Sequence, residues 1–268
     1  MSAPTDLGTR RRRIRPFRHI RKVVKRWHHN FGVRLGLQSG PATQGYMICA
    51  TQRSGSSYLS QLLASTRCLG NPAEYFNTPA WRKTDSKYPK DPRAQFEIVR
   101  SLGATPNGIY GVKAHAFQIA RMGEGIDPFR ELPNLKLVRL LRGDMLSRAI
   151  SLSRAKQSRQ YSSMSPRLGE PVYSEQSIRH CLLSLLEQES IWNRIFGRLG
   201  GEFLTLDYQE IVPSPQRTAD QVAKFMGVAP APIDPALIMV TMQRDESSLA
   251  WRKRFLADTG DEFRHLAD

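Results

Sequence analysis

Tyr46-Met47-Ile48-Cys49-Ala50-Thr51-Gln52-Arg53-Ser54-Gly55-Ser56-Ser57-Tyr58-Leu59-Ser60-Gln61-Leu62-Leu63-Ala64-Ser65 reads as a strand, a tight loop and a helix. Residues 46–50 form a short apolar run, as expected of a strand buried on both faces. Thr51 to Ser56 are small or polar around one glycine, apart from the long side chains of Gln52 and Arg53. Tyr58, Leu59, Leu62 and Leu63 then recur at helical spacing. A strand feeding a helix through such a loop aims backbone N–H groups and the positive helix end at one spot, which suits an anion. Arg53 adds a planar guanidinium suited to phosphate or sulfate oxygens. A serine-rich turn capped by Ser54 or Ser56 is the plainer reading of the same residues.

The loop is not a Walker A motif, because no lysine follows Gly55 and an arginine precedes it. Outward from it, residues 109–112 and 135–141 are apolar runs read as further strands, and 203–206 as a fourth. Helical patterns lie between them, the longest over 175–199 and stopped by Gly200-Gly201. Strands alternating with helices predict an α/β fold of three layers, a central parallel sheet flanked by helices. Residues 77–104 carry little signal. They read as a mobile, partly helical insertion over the site, with Trp81, Tyr88 and Phe96 able to stack on a sugar or simply to pack.

The net charge of +16 is concentrated at one end. Residues 1–40 hold nine arginines and two lysines against one acid, Asp6, and no further acid occurs before Glu74. Phe17, Ile20, Val24, Trp27 and Phe31 fall at helical spacing among these cations. Over residues 10–34 this is the pattern of a segment lying on an anionic membrane surface, with a solvated, disordered arm as the alternative. Nucleic acid is a weaker candidate, since no recognised binding motif accompanies the charge. The expected division is a basic arm at 1–40 and one catalytic domain at 41–268. A homodimer stays open, and so does a transit peptide. A secretory signal is not expected, for want of an apolar core segment. No apolar stretch approaches the length of a membrane span. The expected location is cytoplasmic, with peripheral attachment at the inner face of the membrane. Cys49, Cys68 and Cys181 lie far apart without a CxxC pair, so neither a zinc site nor a disulfide framework is expected.

Glu74 is flanked by Tyr75 and Phe76, whose desolvation would raise its pKa toward neutrality and suit it to general base work. A surface glutamate beside two packing aromatics is the plainer alternative. Lys113 and His115 end the second strand. A lysine there could neutralise charge on a bound anion, and histidine is the commonest general base.

Gln52-Arg53-Ser54-Gly55-Ser56-Ser57 resembles the 5′-phosphosulfate loop of sulfotransferases. The wider likeness is to the bacterial sulfotransferase family typified by trehalose 2-sulfotransferase. It includes Gly70-Asn71-Pro72-Ala73-Glu74-Tyr75-Phe76 and the stretch from Thr105-Pro106-Asn107-Gly108 to Gly111-Val112-Lys113. It runs from about Gly45 to the C-terminus. The resemblance implies a sulfotransferase variant of the P-loop NTPase-like fold. It implies transfer of a sulfuryl group from 3′-phosphoadenosine 5′-phosphosulfate (PAPS) to a hydroxyl of a carbohydrate or glycolipid, without a metal. Glu74 would be the base in that family, whereas animal cytosolic sulfotransferases place a catalytic histidine in a similar Lys-x-His, so His115 stands beside it. Glu74 orienting His115 is a third reading. Catalytic residues are thus expected at Arg53, Lys113, Glu74 and His115, and donor contacts at Gln52, Arg53, Ser54, Gly55, Ser56 and Ser57. Arg142 and Ser151, with Ser147 as second choice, match the arginine and serine that hold the 3′-phosphate. Cations in 251–255 have a family counterpart that could fold back on the donor. Two other classes remain: a nucleotide kinase, which magnesium dependence would separate, and a non-catalytic binding protein working through its basic arm.

Overall fold

The computed structural model describes residues 41–161, 163, 166–240 and 246–260. The basic segment at 10–34 lies outside them. β1 (Gln44–Ala50), β2 (Ile109–His115), β3 (Leu135–Leu141) and β4 (Leu204–Asp207) form one parallel sheet in the order β2-β1-β3-β4. The α/β, three-layer, parallel-sheet expectation holds. Alternate residues of β1 serve opposite faces, as the pleat requires. Met47 and Cys49 join one buried cluster, and Tyr46, Ile48 and Ala50 join the other.

α1 (Ser56–Ser65) and, further on, α9 (Pro215–Met226) cover the second face through Leu59, Leu62, Leu63, Val222 and Met226. α7 (Glu175–Leu199) covers the first through Trp192 and Phe196. α6 (Met145–Ser158), α7 and the C-terminal α10 (Glu246–Thr259) share a third cluster around Ile150, Ile178 and Phe255. Among the described residues no helix is long and apolar enough to cross a membrane.

β1 is central, and its neighbours β2 and β3 lie on opposite sides. Successive crossovers therefore leave in opposite directions, opening a crevice outside the carboxyl ends of the strands, where ligands bind in such sheets.

The segment 77–104 is partly helical and borders the cavity through Pro79, Ala80 and Lys83, as expected. It contains α2 (Thr78–Thr84) and α3 (Pro92–Leu102), with Asn77 and Asp91 accepting hydrogen bonds from the free N–H groups of their first turns. Trp81, Tyr88 and Phe96 are buried and not displayed to a sugar. The Trp81 ring stacks between Tyr75 and Tyr88 at 5.8 and 5.1 Å. Trp81 Nε1 donates to the Glu74 carbonyl at 2.8 Å, and the Tyr88 hydroxyl donates to the Tyr75 carbonyl at 2.6 Å. Polar tips with partners let these rings enter a core. They anchor the turn that carries Glu74.

The buried Tyr46 hydroxyl donates to the Leu69 carbonyl at 2.5 Å, tying β1 to the chain leaving α1. Tyr46→Phe strands that buried carbonyl, and urea denaturation should show a loss of about 1–3 kcal/mol.

Candidate active site

The crevice is a cavity of about 1290 Å³. Its wall is built from the ends of three strands. Gln52, Arg53, Gly55, Ser56 and Ser57 enter from the loop after β1, His115 from the end of β2, and Arg142 from the end of β3. Glu74, Ser147, Ser151, Tyr208 and Arg252 complete the part with chemical potential.

The loop after β1 is shaped for an anion. Arg53 and Gly55 both take positive φ, 60° and 90°. A non-glycine residue in that region is strained, and such strain gathers at functional sites. The left-handed turns bend successive N–H groups inward, the arrangement known to cradle anions. Gly55 occupies the cap position of α1, and no side chain caps the helix. Neither Ser54 nor Ser56 fills the expected capping role. Ser54 is fully buried, and its hydroxyl has no hydrogen-bond partner. The uncapped N–H groups at this helix end suit a bound anionic oxygen. Gly55 has a second reason to be glycine: an added Cβ would sit 2.1 Å from the Tyr208 ring.

Arg53 does not hang free over this loop. Its Nε donates to Ser151 Oγ at 2.8 Å, and its Nη1 donates to the Tyr161 carbonyl at 2.9 Å. The guanidinium thus sits between the loop after β1 and α6. It faces the cavity wall that Ser151 and Arg142 share, so its place is the junction of the two expected phosphate sites. Burial lowers its pKa, and the nearby Arg142 adds to the effect. Arg142 stacks on Tyr208 with 4.6 Å from its guanidinium carbon to the ring centre, and donates to the Arg53 carbonyl at 3.1 Å. Asp144 caps α6 through the Ser147 N–H at 3.1 Å. Arg252, from α10, donates to Asp144 at 2.8 Å and to the Ser147 hydroxyl at 3.2 Å. Of the C-terminal cations, Arg252 therefore folds back onto this side of the cavity, whereas Arg254 turns to Tyr173 and Asp258.

The second cluster joins Glu74, Lys113 and His115. Lys113 Nζ lies 3.0 Å and His115 Nε2 3.4 Å from Glu74 Oε1. Asn77 Nδ2 and Gln118 Nε2 donate to Glu74 Oε2 at 2.9 and 3.0 Å. Burial alone would raise the carboxyl's pKa, but Lys113, joined by His115 when that ring is protonated, outweighs it and holds it well below the usual carboxylate range. The expected rise toward neutrality is thus reversed. Tyr75 and Phe76 do turn into the core. The carboxylate meets cations that adjacent sequence did not reveal.

Lys113 is buried behind the cavity wall and also donates to Ser57 Oγ at 3.1 Å. It connects the anion loop to Glu74 without lining the space itself. His115 Nδ1 lies 3.2 Å from the Ala50 carbonyl, which also accepts from Trp192 Nε1 at 2.9 Å. A carbonyl has no proton to give, so Nδ1 carries one, and Nε2 is the nitrogen that faces Glu74 Oε1 and can exchange a proton at the site. Gln118 Oε1 accepts from the His115 backbone N–H at 2.9 Å, which locks the same residue from the other side.

The structure thus brings Gln52, Arg53, Gly55, Ser56, Ser57, Glu74, His115, Arg142, Ser147 and Ser151 to one cavity, with Lys113 and Ser54 just behind it. Sequence reading missed Tyr208, Gln118, Trp192 and Arg148. Tyr208, Trp192 and Arg148 act on residues distant along the chain, and so does Gln118 toward Glu74, although its bond to the His115 N–H is local. Among the described residues no group of three or more His, Cys, Asp or Glu is placed to hold a metal ion.

A carboxyl with a depressed folded-state pKa contributes stability that is present above its unfolded value and lost as pH falls through the folded one. Glu74→Gln should therefore lower Tm most above about pH 5, where an unfolded glutamate is ionised. The gap to the native protein should narrow steadily in more acidic buffer, as followed by thermal melts. A gap independent of pH would contradict the carboxylate assignment.

The model of the Stf0 sulphotransferase family matches residues 45–258. Trehalose 2-sulfotransferase of Mycobacterium tuberculosis (strain ATCC 35801 / TMC 107 / Erdman) is 27% identical over 262 residues, covering 81% of this chain and 96% of that protein. The Mycolicibacterium smegmatis (strain ATCC 700084 / mc(2)155) protein of the same name is 24% identical, covering 80% and 94%. Among solved structures, a sulfotransferase from Alicyclobacillus acidocaldarius aligns with a TM-score of 0.44 at 15% identity, over 81% of this chain and 92% of that one. The sulfotransferase domain from the curacin biosynthetic pathway aligns at 0.46 and 15% identity, over 83% and 98%. The matched span takes in the loops after β1 and β3 and the Glu74 cluster, and the chain belongs to the Stf0 sulphotransferase family.

Proposed function

We propose that this sulfotransferase uses PAPS and delivers its sulfuryl group to a carbohydrate hydroxyl. The observation that carries the reading is the pairing of two anion-shaped subsites, at the ends of neighbouring strands β1 and β3, with the Glu74–His115 cluster on the same cavity. PAPS supplies a sulfuryl group on a phosphate that can leave. Ser54, Ser56, Ser57 and the uncapped N–H groups of α1 suit the 5′ end of that donor. Arg142, Ser147 and Ser151 suit its 3′-phosphate, with Arg53 between the two. A cavity of this volume has room for a nucleotide and a sugar together. The carbohydrate class comes from the two relatives, both named for trehalose.

His115 is the general base in this reading. The acceptor oxygen forms a bond to sulfur as the bond from sulfur to the 5′-phosphate oxygen breaks. The hydroxyl proton goes to His115 Nε2, and the electron pair of the broken bond leaves with the phosphate. Glu74, held ionised and loaded with donors, serves as the counter-ion for the imidazolium that forms. Lys113 and the α1 N–H groups balance charge gathering on the departing phosphate, the electrostatic help such a transfer needs.

Calorimetry in EDTA should show 3′-phosphoadenosine 5′-phosphate binding about 10- to 100-fold tighter than AMP, the worth of one or two charge-assisted hydrogen bonds to the 3′-phosphate. Equal binding would remove the donor assignment. His115→Asn should lower kcat by about 10²–10⁴-fold with nucleotide binding kept, the range for a positioned base. Wild-type turnover in that variant would place the proton elsewhere.

A further inference from the structure

Arg148 lies in the first turn of α6, and its side chain is only 1% exposed. It does not line the cavity. Its Nη1 donates to the Arg142 carbonyl at 2.9 Å, and its Nη2 donates to the Gln52 carbonyl at 3.4 Å. Those carbonyls belong to the two loops that form the anion subsites, one after β3 and one after β1. Glu189 of α7 balances the charge, with Oε1 3.1 Å from Arg148 Nη1. The same oxygen accepts from the Thr51 hydroxyl at 2.9 Å, so it also grips the loop after β1.

We propose that Arg148 and Glu189 are a positioning pair that sets the separation of the two anion subsites, and with it the preference for a ligand bearing two phosphates over one bearing a single phosphate. The proposal rests on the donor reading above. Three features carry it. Only a forked, planar cation can reach both carbonyls at once, whereas a lysine offers one compact head. Both loops lie beyond the last paired residues of β1 and β3, Cys49 and Arg139, so the ladder between these strands does not fix their distance. A buried ion pair is also a poor source of net stability, since desolvation opposes its attraction, so fold stability alone is a weak account of it. Burial indeed lowers the pKa of Arg148, and Arg142 adds to this against the pull of Glu189.

The test is calorimetry on the full chain in EDTA, with 3′-phosphoadenosine 5′-phosphate and AMP as probes and thermal melts alongside. In Arg148→Lys, AMP affinity should stay within about twofold of the native protein, because one anion needs no spacing. Affinity for the bisphosphate should fall about tenfold or more, as expected when a contact is displaced by a fraction of an ångström. Glu189→Gln, which keeps the arginine, should move the ratio in the same direction by a smaller factor, and it carries the test alone if Arg148→Lys does not fold. A native ratio in the folded variants, even with a lowered Tm, overturns the proposal and leaves the pair a stability element. A native protein with no preference for the bisphosphate overturns the donor reading first, and this proposal with it.

Discussion

Parallel strands end in carbonyls that the ladder no longer pairs, and a carbonyl buried without a donor is costly. At the carboxyl edge of this sheet, side chains satisfy those groups. Ala50 accepts from Trp192 and His115, Gln52 and Arg142 accept from Arg148, and Arg53 accepts from Arg142. Each of these donors lines the site or braces a residue that does. One requirement, satisfying backbone oxygens at the end of the sheet, therefore also orients His115 and links the loops after β1 and β3.

The charges follow the same economy of position. Glu74 sits where burial would neutralise it, yet Lys113 and His115 keep it ionised. Lys113 then links this carboxylate to Ser57 of the anion loop, so the acid–base cluster and the donor loop form one network. Arg142 is held flat on Tyr208, and that ring in turn packs where any side chain at position 55 would have to sit. The site's cations are thus kept by rings and carbonyls as well as by acids.

Much of this was legible in the chain. The apolar run, the glycine–serine loop and the helical spacing after it are local patterns, and local patterns encode a strand, a loop and a helix directly. The long helix over 175–199, the Asp144 cap and the cavity residues Arg53, Glu74, His115, Arg142 and Ser151 could all be named beforehand. The misreadings share a cause. Trp81 and Tyr88 look like displayed rings until carbonyls of the Glu74 turn are seen to accept their polar tips. Glu74 looks like a carboxyl of raised pKa until Lys113 and His115 arrive from another strand.

What the sequence by itself determined was the fold class, the loops at the ends of β1 and β3 and the list of residue types that chemistry could use. Periodicity and turn chemistry act over a few residues, so they survive without any knowledge of the rest. What only the tertiary structure decided was protonation and proximity: which nitrogen of His115 faces Glu74, the ionised state of Glu74, and the contacts of Arg148 and Glu189 with the loops after β1 and β3. Electrostatic energy depends on distances between groups far apart in the chain and on the water removed from around them. Those distances exist only once β1, β2 and β3 lie side by side and α6 and α7 close over their ends.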